Sequence, residues 1–186
     1  MQELLTQLST YGYIALFIYS LGGGFFGLVA AGALSYLGKM DIGISITVAT
    51  VANYIGDMVL FYMARYNKQM IEPYMKNHRR KFALSHLLIK KYGDFVMFIQ
   101  KFIYGVKTLV PIAMGLSKYS FLRFGILNLP ASLIFSLFFG LLSFKGGEQI
   151  VELFAKIKEN PWILPLILVV LISLLWLYFS KVTKRK

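Results

Sequence analysis

The stretch Gln100-Lys101-Phe102-Ile103-Tyr104-Gly105-Val106-Lys107-Thr108-Leu109-Val110-Pro111 decides how this chain is read. It lies inside a mainly apolar run, Tyr92 to Ser117, whose only other charge is Asp94. A continuous membrane helix carrying two lysines and a proline is unfavourable. Each ammonium must pair, snorkel or meet water, and the proline removes a helical hydrogen bond. Two short arms meeting near Tyr104-Gly105, buried in protein or lining a wet cavity, avoid both costs. The stretch therefore predicts a re-entrant helical hairpin.

The rest of the chain calls for the same solvent. Of 186 residues, 58% are hydrophobic, against about 45–50% in a soluble domain, and the mean hydropathy is +0.65. Charged residues make up 15%, against about 25%. There are 20 Lys and Arg to 8 Asp and Glu. The basic residues fall mostly between and after apolar segments, which fits the positive-inside rule and anionic lipid headgroups. No soluble basic domain is present to bind nucleic acid. The absence of Cys excludes a disulfide framework, a thiol nucleophile and a Cys metal site. Ala31-Gly32-Ala33 resembles a signal cleavage site, but no Lys or Arg precedes Lys39, so cleavage is not expected.

Upstream, Leu4 to Gly38 holds no charge and is split by Gly22-Gly23-Gly24. The arms Tyr11–Leu21 and Phe25–Gly38 are each shorter than the ~20 residues of a full span. They read as a first re-entrant hairpin, the alternative being one glycine-kinked span. Ile42–Ala64 is a span charged only at Asp57. A basic stretch follows, cytoplasmic by its charge, in which Phe82, Leu84, Leu87, Leu88 and Tyr92 suggest an amphipathic interfacial helix. Phe124–Phe144 is an uncharged span, residues 145–160 an outer interfacial helix, and Pro161–Ser180 a final span anchored inside by Lys181, Lys184, Arg185 and Lys186. One membrane domain results: first hairpin and span 11–66, basic segment 67–91, second hairpin and span 92–144, interfacial helix 145–160, C-terminal span 161–181. Each half repeats hairpin, small-residue signature and full span, with opposite orientation by charge. The expected fold is an all-α integral membrane protein built as an inverted repeat.

Chemistry should sit where charge interrupts apolar sequence. Lys101 and Lys107 can point into one cavity and meet a phosphate or carboxylate. Alternatively both snorkel, or Lys101 pairs with Asp94. Asp57, on one face with Asn53, reads as proton carrier or partner of a buried cation. Arg65 is either a supporting residue or a marker of the inner membrane boundary. Tyr104 and Gly105 form the turn between the lysines. His78 and His86 suit no metal spacing, and no catalytic constellation or cofactor motif appears.

The stretch from Gln100 to Pro111, continuing through Gly115, Phe124 and Asn128, resembles the signature of the DedA membrane proteins, also called SNARE-associated or VTT-domain proteins. Gly56-Asp57, Tyr62 and Arg65 resemble the family's Gly-Asp…Tyr…Gly-Arg element, and Ala31-Gly32-Ala33-Leu34 its first small-residue signature. The resemblance implies two facing re-entrant hairpins and transport of lipid-linked phosphates, notably undecaprenyl phosphate, across the bacterial inner membrane. It places the family's two phosphate-meeting arginines on Lys101 and Lys107 and its aspartate on Asp57. Three departures stand out. Lysine replaces both arginines, losing the bidentate fork; Tyr104 replaces a proline; and Ser20–Phe26 lacks the acids that many members carry there. Coupling to a proton or sodium gradient would then rest on Asp57 or be absent. The expected partner is a membrane lipid with an anionic phosphate headgroup, with a homodimer left open. A non-selective phospholipid scramblase and a non-transporting membrane assembly factor are the competing readings.

Overall fold

In the computed structural model, residues 2–67, 69, 71–72, 79–103, 106–117 and 119–152 are described. Tyr104, Gly105, His78, the second half of the 145–160 segment and the whole 161–181 segment lie outside them. Among the described residues every regular element is helical. Met1–Gly147 forms one compact unit; of the second, Glu148–Lys186, only residues 148–152 are described, and they are helical.

Two long helices form the frame: α3, Ile42–Tyr66, and α7, Phe121–Lys145, each of 25 residues. At 1.5 Å per residue each is about 37 Å long, enough to cross a bilayer. Both start at a side-chain cap. Asp41 Oδ1 accepts from the Ile44 amide at 2.8 Å, and Ser120 Oγ accepts from that of Arg123 at 3.5 Å. Both meet the length and hydropathy of a membrane span.

Before α3 come α1, Gln2–Leu21, and α2, Phe25–Tyr36. The chain reverses between them. Gly23 takes φ +78°, a left-handed conformation that glycine adopts without strain, and the Tyr13 hydroxyl accepts from the Asp41 amide at 2.8 Å, across the far end of α2. The first arm is longer than its apolar part, because nothing between Gln2 and Tyr11 is a glycine or proline that would stop the helix. Leu16, Leu28, Ala31, Met40, Ala49 and Phe135 close one core cluster around this reversal.

The second arm pair is less regular. After α4, Arg79–Tyr92, the chain passes through a 3₁₀ turn at Gly93–Phe95, one helical turn α5, Val96–Ile99, and another 3₁₀ turn at Gln100–Phe102. It returns as α6, Leu109–Leu116. The expected first half-helix is thus broken into short pieces, with Gly93 at φ +55°. The apolar face expected of α4 is also split. Phe82, Leu88 and Ile89 pack inward beside buried Ser85, whereas Leu84, Leu87 and Tyr92 are exposed. At 100° per residue Leu84 and Leu87 fall on a different side of the helix from the inward set, whereas Tyr92 falls on the inward side and is exposed at the last position of the helix.

Two glycines seat the returning helices on the frame. A Cβ on Gly115 of α6 would collide with the Phe61 carbonyl oxygen and the Ala64 side chain of α3. A Cβ on Gly32 of α2 would collide with Ser143 and approach the Gly140 carbonyl oxygen of α7 at 3.1 Å. Positions 61 and 140, like 64 and 143, lie 79 apart, the interval that also separates the caps Asp41 and Ser120.

Candidate functional site

Asp57 is the sixteenth residue of α3, about 4–5 Å along the axis from the helix midpoint. It is only 5% exposed. Glycine at position 56 lets the end of α1 rest on α3 here, with the Leu21 carbonyl oxygen in the space a side chain would fill. The 3₁₀ turn at Gln100–Phe102 brings Lys101 against the same level. Its Nζ donates to Asp57 Oδ2 at 2.6 Å and to Ser132 Oγ of α7 at 2.8 Å. A buried pair of this kind holds together because each charge is the other's solvent.

Lys107 reaches the site from the far side of the turn and is treated differently. Its Nζ donates to Asn53 Oδ1 at 2.6 Å and, more weakly, to the Gly23 carbonyl oxygen at 3.3 Å. It also lies 4.1 Å from the centre of the Phe135 ring. All three partners are neutral. The ring face and the two oxygens solvate the ammonium, but no described carboxylate lies within ion-pair distance of it. With Lys101 and Asp57 cancelling, the cluster carries one uncompensated positive charge near the middle of the frame helices.

A cavity of about 410 Å³ opens beside it, lined by Leu21, Gly22, Gly23, Ile55, Gly56, Asp57, Val59, Leu60, Lys107 and Thr108. Lys107 and Asp57 supply its charge, whereas Lys101 sits behind Asp57 and does not line it. Four further side-chain atoms in the described interior, Ser20 Oγ, Gln100 Oε1, Asn128 Oδ1 and Ser136 Oγ, have no protein partner. Such atoms at membrane depth call for water. Asn128, Ser132 and Ser136 recur at i+4 and so form one polar stripe along α7. Among the described residues no group of three His, Asp or Glu side chains comes together to hold a metal ion.

The structure thus brings together Lys101, Lys107, Asp57 and Asn53. Arg65 sits elsewhere. Two turns further along α3, it donates to the carbonyl oxygens of Gly115, Ser117 and Tyr119, and so caps the C-terminus of α6. Asp94 is not the partner of Lys101; it accepts from the Tyr119 hydroxyl at 2.6 Å and pairs with Arg123. Those groups lie outside the spanning cores. The Tyr119 hydroxyl, first, holds the Asp94 carboxyl below its ordinary value; burial opposes it, and the hydrogen bond and charge of Arg123 add to the lowering. Burial, then the Asp94 carboxylate, push Tyr119 up to about 12. Three contributors escaped the sequence reading: Ser132, Phe135 and the Gly23 carbonyl. The i+4 polar spacing within the uncharged stretch Phe124–Phe144 was the signal for Ser132; a ring face and a backbone oxygen leave none.

Residues 14–144 match the VTT domain. The chain is 25% identical over 179 residues to "Inner membrane protein YohD" of Escherichia coli (strain K12), covering 94% of this chain and 92% of that one. It is 25% identical over 204 residues to "Undecaprenyl phosphate transporter A" of Staphylococcus aureus (strain NCTC 8325 / PS 47), covering 100% and 98%. It is 25% identical over 162 residues to "Undecaprenyl phosphate transporter A" of Bacillus subtilis (strain 168), covering 79% and 78%. No solved structure matches significantly.

Proposed function

The chain belongs to the VTT-domain family, and from that premise we propose that it carries a polyprenyl monophosphate of the undecaprenyl phosphate type across the bacterial inner membrane. Two relatives named as undecaprenyl phosphate transporters support the substrate class, and one named as an inner membrane protein supports the location. The observation that carries the reading is Lys107. A buried ammonium held, among the described residues, only by an amide oxygen, a long carbonyl contact and a ring face has room for an anion, and the cavity of about 410 Å³ supplies the space. The headgroup oxygen replaces the Gly23 carbonyl, the weakest of the three partners.

In this reading both chain reversals are re-entrant, and the halves form an inverted repeat around the site. The 79-residue interval that relates the two glycine seats and the two helix caps supports that arrangement. Asp57 then links transport to protons. A proton on Asp57 removes the partner of Lys101 and frees a second ammonium for the phosphate.

The test is leaflet exchange of a fluorescent undecaprenyl phosphate in proteoliposomes. Lys107→Met should slow exchange about tenfold or more, the loss of a charged hydrogen bond of ~1.5–3 kcal/mol, while the protein still elutes as a folded species. Lys107→Arg should retain much of it. Exchange by Lys107→Met at the unmodified rate would refute the assignment. The absence of any acid in Ser20–Phe26 favours one competing reading, an uncoupled scramblase; equal exchange of zwitterionic phospholipids with no proton gradient would establish that instead.

A further inference from the structure

The cavity that holds Lys107 is walled mostly by hydrocarbon. Leu21 forms one side, and Ile55, Val59 and Leu60 of α3 form the other. Ile55 and Val59 are also exposed on the outer face of α3, 38% and 48% accessible. In a membrane that face meets acyl chains, so these two residues join the charged floor of the cavity to the lipid. They belong to a longer stripe: Val51, Ile55, Val59, Tyr62 and Tyr66 are all exposed and recur at spacings of three and four, which puts them on one side of the helix. At one end the Tyr62 and Tyr66 rings lie 4.6 Å apart, next to Arg65, the composition expected near a membrane–water boundary.

The geometry points to a lateral lipid-binding path on α3: an anionic headgroup lodged at Lys107, with its hydrocarbon tail leaving the cavity over Ile55 and Val59 and lying along the Val51–Tyr66 stripe. This deepens the carrier reading and rests on it for the headgroup chemistry. Two independent features of the cavity support this path. One is charge: the cavity floor bears a single uncompensated ammonium, so it selects an anion. The other is continuity: the walls between that ammonium and the bilayer are apolar, so they offer nothing to a free, water-borne phosphate and everything to one that carries a tail. The cavity is far larger than the ~30 Å³ of a water molecule and accommodates a phosphate group with some of its hydration. Because the stripe extends in both directions from Ile55, the tail can tilt toward either leaflet while the headgroup stays at one depth. Gly56 matters to this path, since a side chain there would displace the Leu21 backbone that forms the opposite wall.

Site-specific photo-crosslinking tests the path. Benzoylphenylalanine is placed at Ile55 or Val59, and for comparison at Leu133 or Leu137, exposed apolar positions on α7. Each full-length protein is reconstituted with radiolabelled undecaprenyl phosphate and illuminated. The expected result is labelling at Ile55 and Val59 several-fold above that at Leu133 and Leu137, competed by unlabelled polyprenyl phosphate but not by the polyprenol alcohol, and reduced by Lys107→Met. Equal labelling at all four positions, indifferent to Lys107→Met, would mean ordinary bilayer contact and overturn the path. Competed labelling at Leu133 or Leu137 instead would also overturn it. Exchange measured on the unmodified protein separates the two proposals. Exchange with equal labelling sinks the path and leaves the carrier, whereas specific labelling without exchange sinks the carrier and leaves a lipid-binding site.

Discussion

The two helices that return to the frame, α2 and α6, are seated alike and equipped differently. Gly32 lets α2 close on Gly140 and Ser143, and Gly115 lets α6 close on Phe61 and Ala64. Yet the turn before α6 delivers two lysines to the centre, and the turn before α2 delivers only backbone, the Gly23 carbonyl at 3.3 Å from Lys107. Ser132 and Asn53 follow the same division: equivalent positions on α7 and α3 by the 79-residue interval, one holding Lys101 and the other Lys107. Packing can repeat because close backbone contact needs only a small residue in the right place. Charge cannot repeat as freely, since every buried ammonium needs its own solvent. Similar packing at the two glycine seats therefore goes with unlike charge at the two turns.

The largest effect is expected at the ion pair. Asp57→Asn should destabilise the protein by about 3–5 kcal/mol, because Lys101 stays buried without its counter-charge. Asp57→Asn combined with Lys101→Met should recover most of that loss. Thermal unfolding in nanodiscs reads both, and an Asp57→Asn variant as stable as the parent would show that the pair does not hold the halves together. Next come the glycine seats. Gly115→Ala and Gly32→Ala should each cost about 1–3 kcal/mol through overpacking. Comparable losses sharpen the packing equivalence, and a neutral Gly32→Ala beside a damaging Gly115→Ala would break it.

Ser132→Ala should be milder, about 0.6–1.7 kcal/mol by the measured worth of polar contacts between membrane helices. Its effect should vanish in the Lys101→Met background, which a double-mutant cycle would detect. The smallest change lies at the periphery. Tyr119→Phe removes a hydrogen bond to the Asp94 carboxylate and should cost about 0.5–1 kcal/mol, less than a buried charged hydrogen bond because that carboxylate is partly in water. Because the folded carboxyl titrates below its ordinary value, its contribution is complete above the ordinary carboxylate range and is lost as pH falls through the lower folded value. Unfolding midpoints recorded down to that acidic range should show Tyr119→Phe converging on the parent, whereas a difference constant with pH would detach Asp94 from the effect.

Much of this was legible in the chain itself. Charges inside apolar runs marked Lys101, Lys107 and Asp57, because membrane burial makes an isolated charge expensive whatever the fold. A glycine triplet and length limits marked the reversal at Gly22–Gly24 and the spans Ile42–Ala64 and Phe124–Phe144, two to three residues shorter than the helices at an end, since those constraints act within a few residues. What composition and periodicity left open was which charge meets which. Lys101 had Asp94 seven residues away and found Asp57, 44 residues away; Arg65, near Asp57 in sequence, went to the carbonyls that end α6. Those choices were made by how closely Gly56 and Gly115 let backbones approach, and by the 3₁₀ turn that aims Lys101 inward. They depend on atoms from four separate segments arriving together, and no local pattern encodes that. Composition and hydropathy were enough to put two lysines inside a membrane protein. The meeting of four distant segments is what pairs Lys101 with Asp57 and gives Lys107 neutral partners instead.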